Sequence, residues 1–318
     1  MHRSASIVAL TLTLAALAQA QNLVHLDSHS NRLKVQNGHF ISWENVSTDP
    51  SANQVKIYSK QGGLLTTIPI LRLVPEAMRV TIFDVATSPS GMVTIAAVYG
   101  REQGKLPAST LLYFDAKGHL VSAITLHPTR QISRLAVDDN SNVWTLTITA
   151  ARKDPAGVPM LVEYDATGHQ VRELLKRSEF PGDAAENRDD LGLSGFGYEN
   201  GTLWFWLPAS QDFVTVDVNQ GSVAKIHTGL PNKSPAETPM GIFRDSKGLV
   251  ARIIERPGPN VPGTWAFFRW SPSTQAWAKI QPVGCEDQIH AFIGLENGRG
   301  IFAHYPTDGG VNICASEF

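Results

Sequence analysis

The chain has 318 residues, of which 42% are apolar and 18% are charged, and its formal net charge is −2. This composition is sufficient for a large buried core and excludes a chain that is disordered throughout. The near-neutral charge argues against a nucleic-acid-binding protein and against a polybasic surface that binds anionic membranes.

The first 20 residues have the three parts of a secretory signal peptide. Arg3 supplies the positive start, residues 5–17 form an apolar run, and Ala18-Gln19-Ala20 is a cleavage site of the small-x-small type. The alternative is a membrane anchor, but the run is shorter than the ~20 apolar residues that span a bilayer. The sequence therefore predicts a signal peptide over residues 1–20, a mature chain from Gln21 and export to the periplasm or the extracellular space. It predicts no membrane span.

The rest of the chain repeats with a period of about 50 residues, which is typical of propeller blades. Each repeat contains two strand–turn–strand hairpins with polar, Gly- or Asn-containing turns between short β-branched or aromatic strands. The first hairpin has its turn within residues 36–40, 88–93, 138–144, 198–204, 244–250 and 295–301, and the second within residues 58–65, 114–121, 164–171, 216–223, 270–277 and 305–313.

A four-stranded sheet of this kind cannot bury both of its faces alone. Stacking such sheets around an axis buries the faces and leaves only short edges. The sequence therefore predicts an all-β fold, a six-bladed β-propeller with four-stranded blades, as a single domain over residues 21–318.

The last repeat contains only three strands, at residues 289–295, 300–304 and 311–315. Residues 23–27 alternate between apolar and polar side chains, as a strand does, and can supply the missing fourth strand. The alternative is a frayed amino terminus beside an incomplete blade. We expect closure of the ring by this N-terminal strand.

The chain has two cysteines, Cys285 and Cys314, and both lie in the last repeat. An even number of cysteines in an exported protein usually forms disulfides, whereas the alternative is a pair of buried free thiols. We expect a Cys285–Cys314 disulfide.

Two segments carry a resemblance to a known family. Residues 134–146, "RLAVDDNSNVWTL", followed by residues 161–174, "LVEYDATGHQVREL", resemble a blade of the NHL-type six-bladed propellers. The resemblance extends by repetition over nearly all of the mature chain. The same superfamily includes binding platforms and gluconolactonase-type hydrolases, so the resemblance implies a fold rather than an activity.

Ligands of propellers usually occupy the mouth of the central channel, which the innermost strand of each blade lines. Aligning these strands on their turns places Asn31, Asp84, Arg134 and Ser194 at one level in four consecutive blades, with small residues in the other two. One interpretation is a polar half-ring that binds a ligand, and the other is a structural Asp84–Arg134 ion pair between neighbouring blades. An error of one residue in the alignment would turn these side chains to the other face.

The sequence contains no recognisable metal-binding, nucleophile or nucleotide-binding motif. We therefore predict no catalytic residue, no metal ligand and no cofactor. The favoured interpretation is an exported, monomeric binding or scaffold module for a protein or a small polar ligand. The alternative is a lactonase-like hydrolase with a metal ion at the channel mouth. For that site Asp84 and Asn31 are the inner-strand candidates, and Glu237, Glu286 and Asp287 lie in loops before inner strands.

Overall fold

The structure is a computed structural model, and it describes residues 24–30, 32–46, 49–73, 77–100, 108–126, 130–149, 159–179, 195–207, 210–229, 238–245, 247–255, 263–285 and 291–318. The strands of these segments form six antiparallel four-stranded sheets. The prediction of a six-bladed, all-β propeller with four-stranded blades is therefore confirmed. Three short 3-10 helices, Pro50–Ala52, Leu71–Leu73 and Arg177–Glu179, are the helical turns of the described residues.

Five of the blades are formed by four consecutive strands, numbered outwards from the central axis. Blade 1 contains β2 (Leu33–Gln36), β3 (His39–Trp43), β4 (Gln54–Tyr58) and β5 (Leu64–Pro69). Blade 2 contains β6 (Arg79–Thr87), β7 (Val93–Gly100), β8 (Ala108–Phe114) and β9 (Leu120–Thr125). Blade 3 contains β10 (Arg130–Val137), β11 (Val143–Thr149), β12 (Pro159–Tyr164) and β13 (Gln170–Lys176). Blade 4 contains β14 (Phe196–Glu199), β15 (Thr202–Leu207), β16 (Asp212–Asp217) and β17 (Val223–His227). Blade 5 contains β18 (Thr238–Asp245), β19 (Gly248–Glu255), β20 (Thr264–Ser271) and β21 (Ala276–Ile280).

The sixth blade joins the two ends of the described chain. From the axis outwards it contains β22 (Ala291–Glu296), β23 (Arg299–His304), β24 (Val311–Ser316) and β1 (Val24–Leu26). Val24 pairs with Ile313, and Leu26 pairs with Val311. The predicted closure by the N-terminal strand is confirmed.

Blade 1 also packs against the closing strand β1 and the residue that follows it. A Cβ atom added at Gly62 would lie 2.5 Å from the carbonyl oxygen of His25, so the outer hairpin of blade 1 packs directly on β1. The Tyr58 hydroxyl donates a hydrogen bond of 2.6 Å to the carbonyl of Asp27. The closing strand is therefore fixed both within its sheet and against the next blade.

The innermost hairpins differ in length between blades. In blades 1, 4 and 6 the turn is an Asn-Gly pair with both residues at positive φ, at Asn37–Gly38, Asn200–Gly201 and Asn297–Gly298. Both residues of a type I′ hairpin need positive φ, which explains the Asn-Gly sequence. Blades 2 and 3 have longer turns between their first two strands, and bulges interrupt the innermost strands of blades 2, 3, 5 and 6.

The core consists of apolar side chains between neighbouring blades, including Trp144 and Trp206. Cys285 and Cys314 are joined by a disulfide, with Cα atoms 6.1 Å apart. This bond ties the segment before β22 to β24, which is the strand that receives β1. In the part of the chain that the structure describes, no helix is long and apolar enough to cross a membrane.

Candidate functional site

A cavity of about 620 Å³ lies on the central axis, and residues of all six blades line it. The innermost hairpins of blades 1 and 6, at Asn37 and Asn297, form part of its mouth, and Asp84 and Arg134 line the cavity on the innermost strands of blades 2 and 3. Its volume lies in the range of small-molecule binding sites. The channel is therefore the candidate functional site.

The ionisable side chains of this wall are unevenly distributed. Near the mouth, Glu199 lies 3.7 Å from Arg244, and Glu296 lies 3.5 Å from Lys60. These pairs are partly exposed, so each contributes little to stability. The ionisable side chains of the wall that burial affects most are Lys34, Asp84, Arg134 and Arg252.

Asp84 is almost completely buried, with 3% of its surface exposed. One carboxylate oxygen accepts a hydrogen bond of 2.9 Å from the backbone N–H of Val85, and the other accepts one of 2.8 Å from Leu135 in the next blade. A buried carboxylate needs such partners because the loss of water is otherwise costly. Asp84 thus joins the innermost strands of blades 2 and 3.

Lys34 of blade 1 supplies the positive charge opposite this carboxylate. Its Nζ atom lies 3.2 Å from both oxygens of Asp84 and donates to the carbonyls of Val85 and Leu135 at 3.1 and 3.3 Å. Burial lowers the pKa of Lys34, and the charge of Asp84 opposes that shift. Lys34 therefore connects three blades at the channel wall.

Arg134 lies beside this pair. Its Nη1 atom donates a hydrogen bond of 3.0 Å to the carbonyl of Ser133. Burial lowers the pKa of Arg134, while Asp84 raises it and Arg32 lowers it further. The ion pair of Asp84 is thus formed with Lys34, and Arg134 contributes a second positive charge near the same carboxylate.

The structure brings two of the four predicted site residues together. Asp84 and Arg134 both line the cavity, and a bulge immediately precedes each of them. Asn31 and Ser194 lie outside the described residues, as do Glu237, Glu286 and Asp287. Ligand binding by Asp84 and Arg134 remains a prediction.

Sequence reasoning missed Lys34, Trp204 and Arg252. Lys34 stands in the otherwise mainly apolar strand "LKV", which is a signal that a corrected strand alignment would have found. Trp204 and Arg252 lie on second strands, β15 and β19, and reach the cavity over glycines of the innermost strands. Their sequence positions alone do not indicate the channel.

Arg252 is held among aromatic rings. Its guanidinium carbon lies 4.9 Å from the ring centre of Trp265, 5.5 Å from that of Phe243 and 5.8 Å from that of Phe292. Its Nη1 atom donates a hydrogen bond of 2.7 Å to the carbonyl of Phe292. Burial lowers the pKa of Arg252 to about 10, so the side chain is charged at neutral pH.

The described residues contain no group of three or more His, Cys, Asp or Glu side chains that could hold a metal ion. In addition, both oxygens of Asp84 already accept hydrogen bonds, and Lys34 occupies the space beside them. A cation at Asp84 would have to displace that ammonium group. The positive charges of Lys34 and Arg134 beside Asp84 therefore favour an anion over a metal ion in this part of the cavity.

No protein-family model matches the chain, and no curated protein matches it. Among solved structures, the chain is similar to a "putative exported protein" of Bacteroides fragilis, with 8% identity, a TM-score of 0.52 and coverage of 92% of this chain and 93% of the other. It is also similar to a Bacteroides caccae protein of unknown function (10% identity, TM-score 0.47, coverage 85% and 84%). A third similar structure is the calcium-binding protein regucalcin of Agrobacterium tumefaciens (13% identity, TM-score 0.46, coverage 92% of both chains). At these identities the likeness concerns the fold alone, and the name of one of these proteins describes it as exported.

Proposed function

We propose that this chain is an exported binding protein of the NHL-like type that holds a small polar ligand in its central cavity. The observation that carries the proposal is the cluster of Lys34, Asp84 and Arg134, three charged side chains on the wall of one cavity of about 620 Å³. The cluster contains two positive charges and one negative charge, and such a wall suits a polar or negatively charged ligand better than apolar packing does.

The proposed location is the periplasm or the extracellular space. The signal-peptide pattern of residues 1–20 supports it. The disulfide between Cys285 and Cys314 supports it independently, because disulfides persist in oxidising compartments.

The proposal does not include catalysis. The alternative, a metal-dependent hydrolase of the lactonase kind, needs several oxygen or nitrogen ligands around one ion and an open position for water. The fully hydrogen-bonded state of Asp84 and its contact with Lys34 favour binding over this alternative.

The test is a cavity-filling variant. Leu295 lies on β22 and lines the cavity, so Leu295→Trp is expected to reduce its free volume. Leu120→Trp is the control, because Leu120 lies on the outermost strand of blade 2 and is exposed. Binding of a library of polar small molecules to the mature protein is measured by ligand-observed NMR and then by calorimetry.

We expect that compounds bound by the unmodified protein and by Leu120→Trp bind at least tenfold more weakly to Leu295→Trp. Circular dichroism and the melting temperature of each variant establish that it is folded. Equal affinity in folded Leu295→Trp would place the binding site elsewhere and overturn the proposal. Stoichiometric metal together with lactone hydrolysis that Asp84→Ala abolishes would favour the hydrolase.

A further inference from the structure

Two glycines of the innermost strands open the channel wall to side chains of second strands. In blade 4, Gly197 pairs with Trp204, and in blade 5, Gly241 pairs with Arg252. Directly paired residues of antiparallel strands project to the same face of the sheet. A glycine therefore leaves room for its partner's side chain to extend over the innermost strand to the cavity.

Trp204 lies closely over the innermost strand of its blade. A Cβ atom added at Gly197 would be 2.6 Å from the Trp204 ring, and one added at Gly195 would be 2.8 Å from it. The indole is also stacked on Phe213, with ring centres 6.1 Å apart and an angle of 23° between the planes. It is 92% buried yet lines the cavity, so it presents a fixed part of its surface to a ligand.

Arg134 lies on the neighbouring blade and also lines the cavity. Together, Lys34, Asp84 and Arg134 place two positive charges and one negative charge on this part of the wall. Guanidinium groups bind carboxylates through planar, charge-assisted hydrogen bonds, and their five donors can serve more than one acceptor. Arg252 adds a second guanidinium to the same cavity.

Apolar rings complete the wall on the side of blades 4 to 6, where Phe196, Phe243 and Phe292 line the cavity. The cavity thus combines aromatic rings on blades 4 to 6 with the guanidinium groups of Arg134 and Arg252. A ligand that matches both has a flat apolar ring and a negative charge.

From this arrangement we propose that the ligand is an aromatic carboxylate whose ring packs against Trp204 and whose carboxylate binds Arg134. This inference rests on the proposed binding function and specifies its ligand class. Inorganic anions lack the ring, and neutral aromatic compounds lack the charge, so both should bind more weakly.

The experiment compares matched pairs of probes by calorimetry on the mature protein. Benzoate and indole-3-acetate are compared with benzamide and indole-3-acetamide, which have almost the same shape but no charge. We expect each carboxylate to bind at least tenfold more tightly than its amide. We also expect Arg134→Gln to remove this difference, and Trp204→Phe to weaken indole-3-acetate severalfold.

Arg299→Gln is the control for the loss of one positive charge, because Arg299 is exposed and pairs with Glu317 away from the cavity wall. It should leave the preference for carboxylates unchanged. Equal binding of acids and amides that Leu295→Trp abolishes would overturn the aromatic-carboxylate inference while leaving the cavity-binding function intact. If neither the probes nor the compounds of the polar library bind more weakly to Leu295→Trp, both the aromatic-carboxylate inference and the cavity-binding function are overturned.

Discussion

The carboxylate of Asp84 is a charged group in the interior of the ring, and its partners come from three blades. Two backbone N–H groups and the Lys34 ammonium surround it. A buried ion pair contributes little net stability compared with apolar packing, but removing one partner leaves an uncompensated charge. We therefore expect Asp84 and Lys34 to be strongly coupled.

A double-mutant cycle tests this coupling. Asp84→Asn alone should reduce the free energy of unfolding by about 3–5 kcal/mol, because it leaves the Lys34 charge buried without its counter-ion. The double variant Asp84→Asn with Lys34→Met should lose less than the sum of the single variants, with a coupling of roughly 1–3 kcal/mol. Urea unfolding provides the measurement, and additive effects would contradict the coupling.

A second residue-scale prediction concerns the outer hairpin of blade 3. The hydroxyl of Thr167 donates to Asp165 at 2.7 Å, and the backbone N–H groups of Thr167 and His169 donate to the same oxygen at 2.8 and 2.9 Å. The Thr167 hydroxyl and these N–H groups lower the pKa of Asp165 from 3.8 to about 2. A lowered carboxyl pKa stabilises the fold above the unfolded-state pKa and loses that effect as pH falls.

The contribution of Asp165 to stability should therefore be complete above pH 3.8 and disappear as the pH falls towards about 2. Thr167→Val removes the hydroxyl donor and should move the pKa of Asp165 back towards 3.8. Thr167→Ser keeps a hydroxyl and should change the pKa much less. NMR titration of the Asp165 carboxyl carbon measures both, and an identical pKa in Thr167→Val would refute this account.

The turn signals of the sequence were sufficient to find Asp84 and Arg134, but they could not find the complete wall. Both residues precede long turns, for which the assumed spacing holds. In blade 1 the turn is the short Asn37–Gly38 pair. Counting the same number of residues back from this shorter turn leads to Asn31, which lies beyond Lys34 in the sequence. Trp204 could not be identified from the sequence because its access depends on which residue pairs with Gly197.

At the scale of elements, the strand β1 closes the ring although it has only three residues. Leu26 is fully buried between blades 6 and 1. Its burial and the pairing of β1 with β24 are what hold the two ends of the ring together.

Leu26→Ala should therefore lower the free energy of unfolding by about 2–5 kcal/mol, as expected for a large-to-small change in a packed core. Leu120→Ala is the matched control, because Leu120 is 42% exposed on an outermost strand. That variant should change stability by less than about 0.5 kcal/mol. Chemical denaturation measures both, and equal effects would show that β1 packing is unimportant.

The disulfide acts on the same blade. Cys285 and Cys314 are 29 residues apart in the sequence. Closing a loop of this length restricts the unfolded chain, and the expected stabilisation is about 3–4 kcal/mol. Reduction should lower the melting temperature of the mature protein.

The double variant Cys285→Ala with Cys314→Ala is the control for this prediction. It should be less stable than the oxidised protein and insensitive to reductant. An unchanged melting temperature of the unmodified protein after complete reduction, verified by thiol titration, would contradict a stabilising role of the bond.

At the scale of the whole molecule, the architecture was predictable because the same weak signals occur six times. A single hairpin such as residues 164–171 could belong to many folds, but its repetition at a constant period is typical of blades. The strand count of the last repeat also predicted the closure. The chemistry of the channel was less predictable, because it depends on how six non-identical strands are aligned around one axis.

The pairing of β1 with β24 also determines when the ring can close. Among the described strands, Val24–Leu26 comes first in the sequence, and it has no sheet to join until Val311–Ser316 is available. Contacts between such distant segments form slowly, because the intervening chain must be ordered first. A chain interrupted before Val311 would expose the unpaired edges of both β23 and β1, and exposed edges favour aggregation and proteolysis. The arrival of β24 therefore completes two sheet edges at once, that of β23 and that of β1.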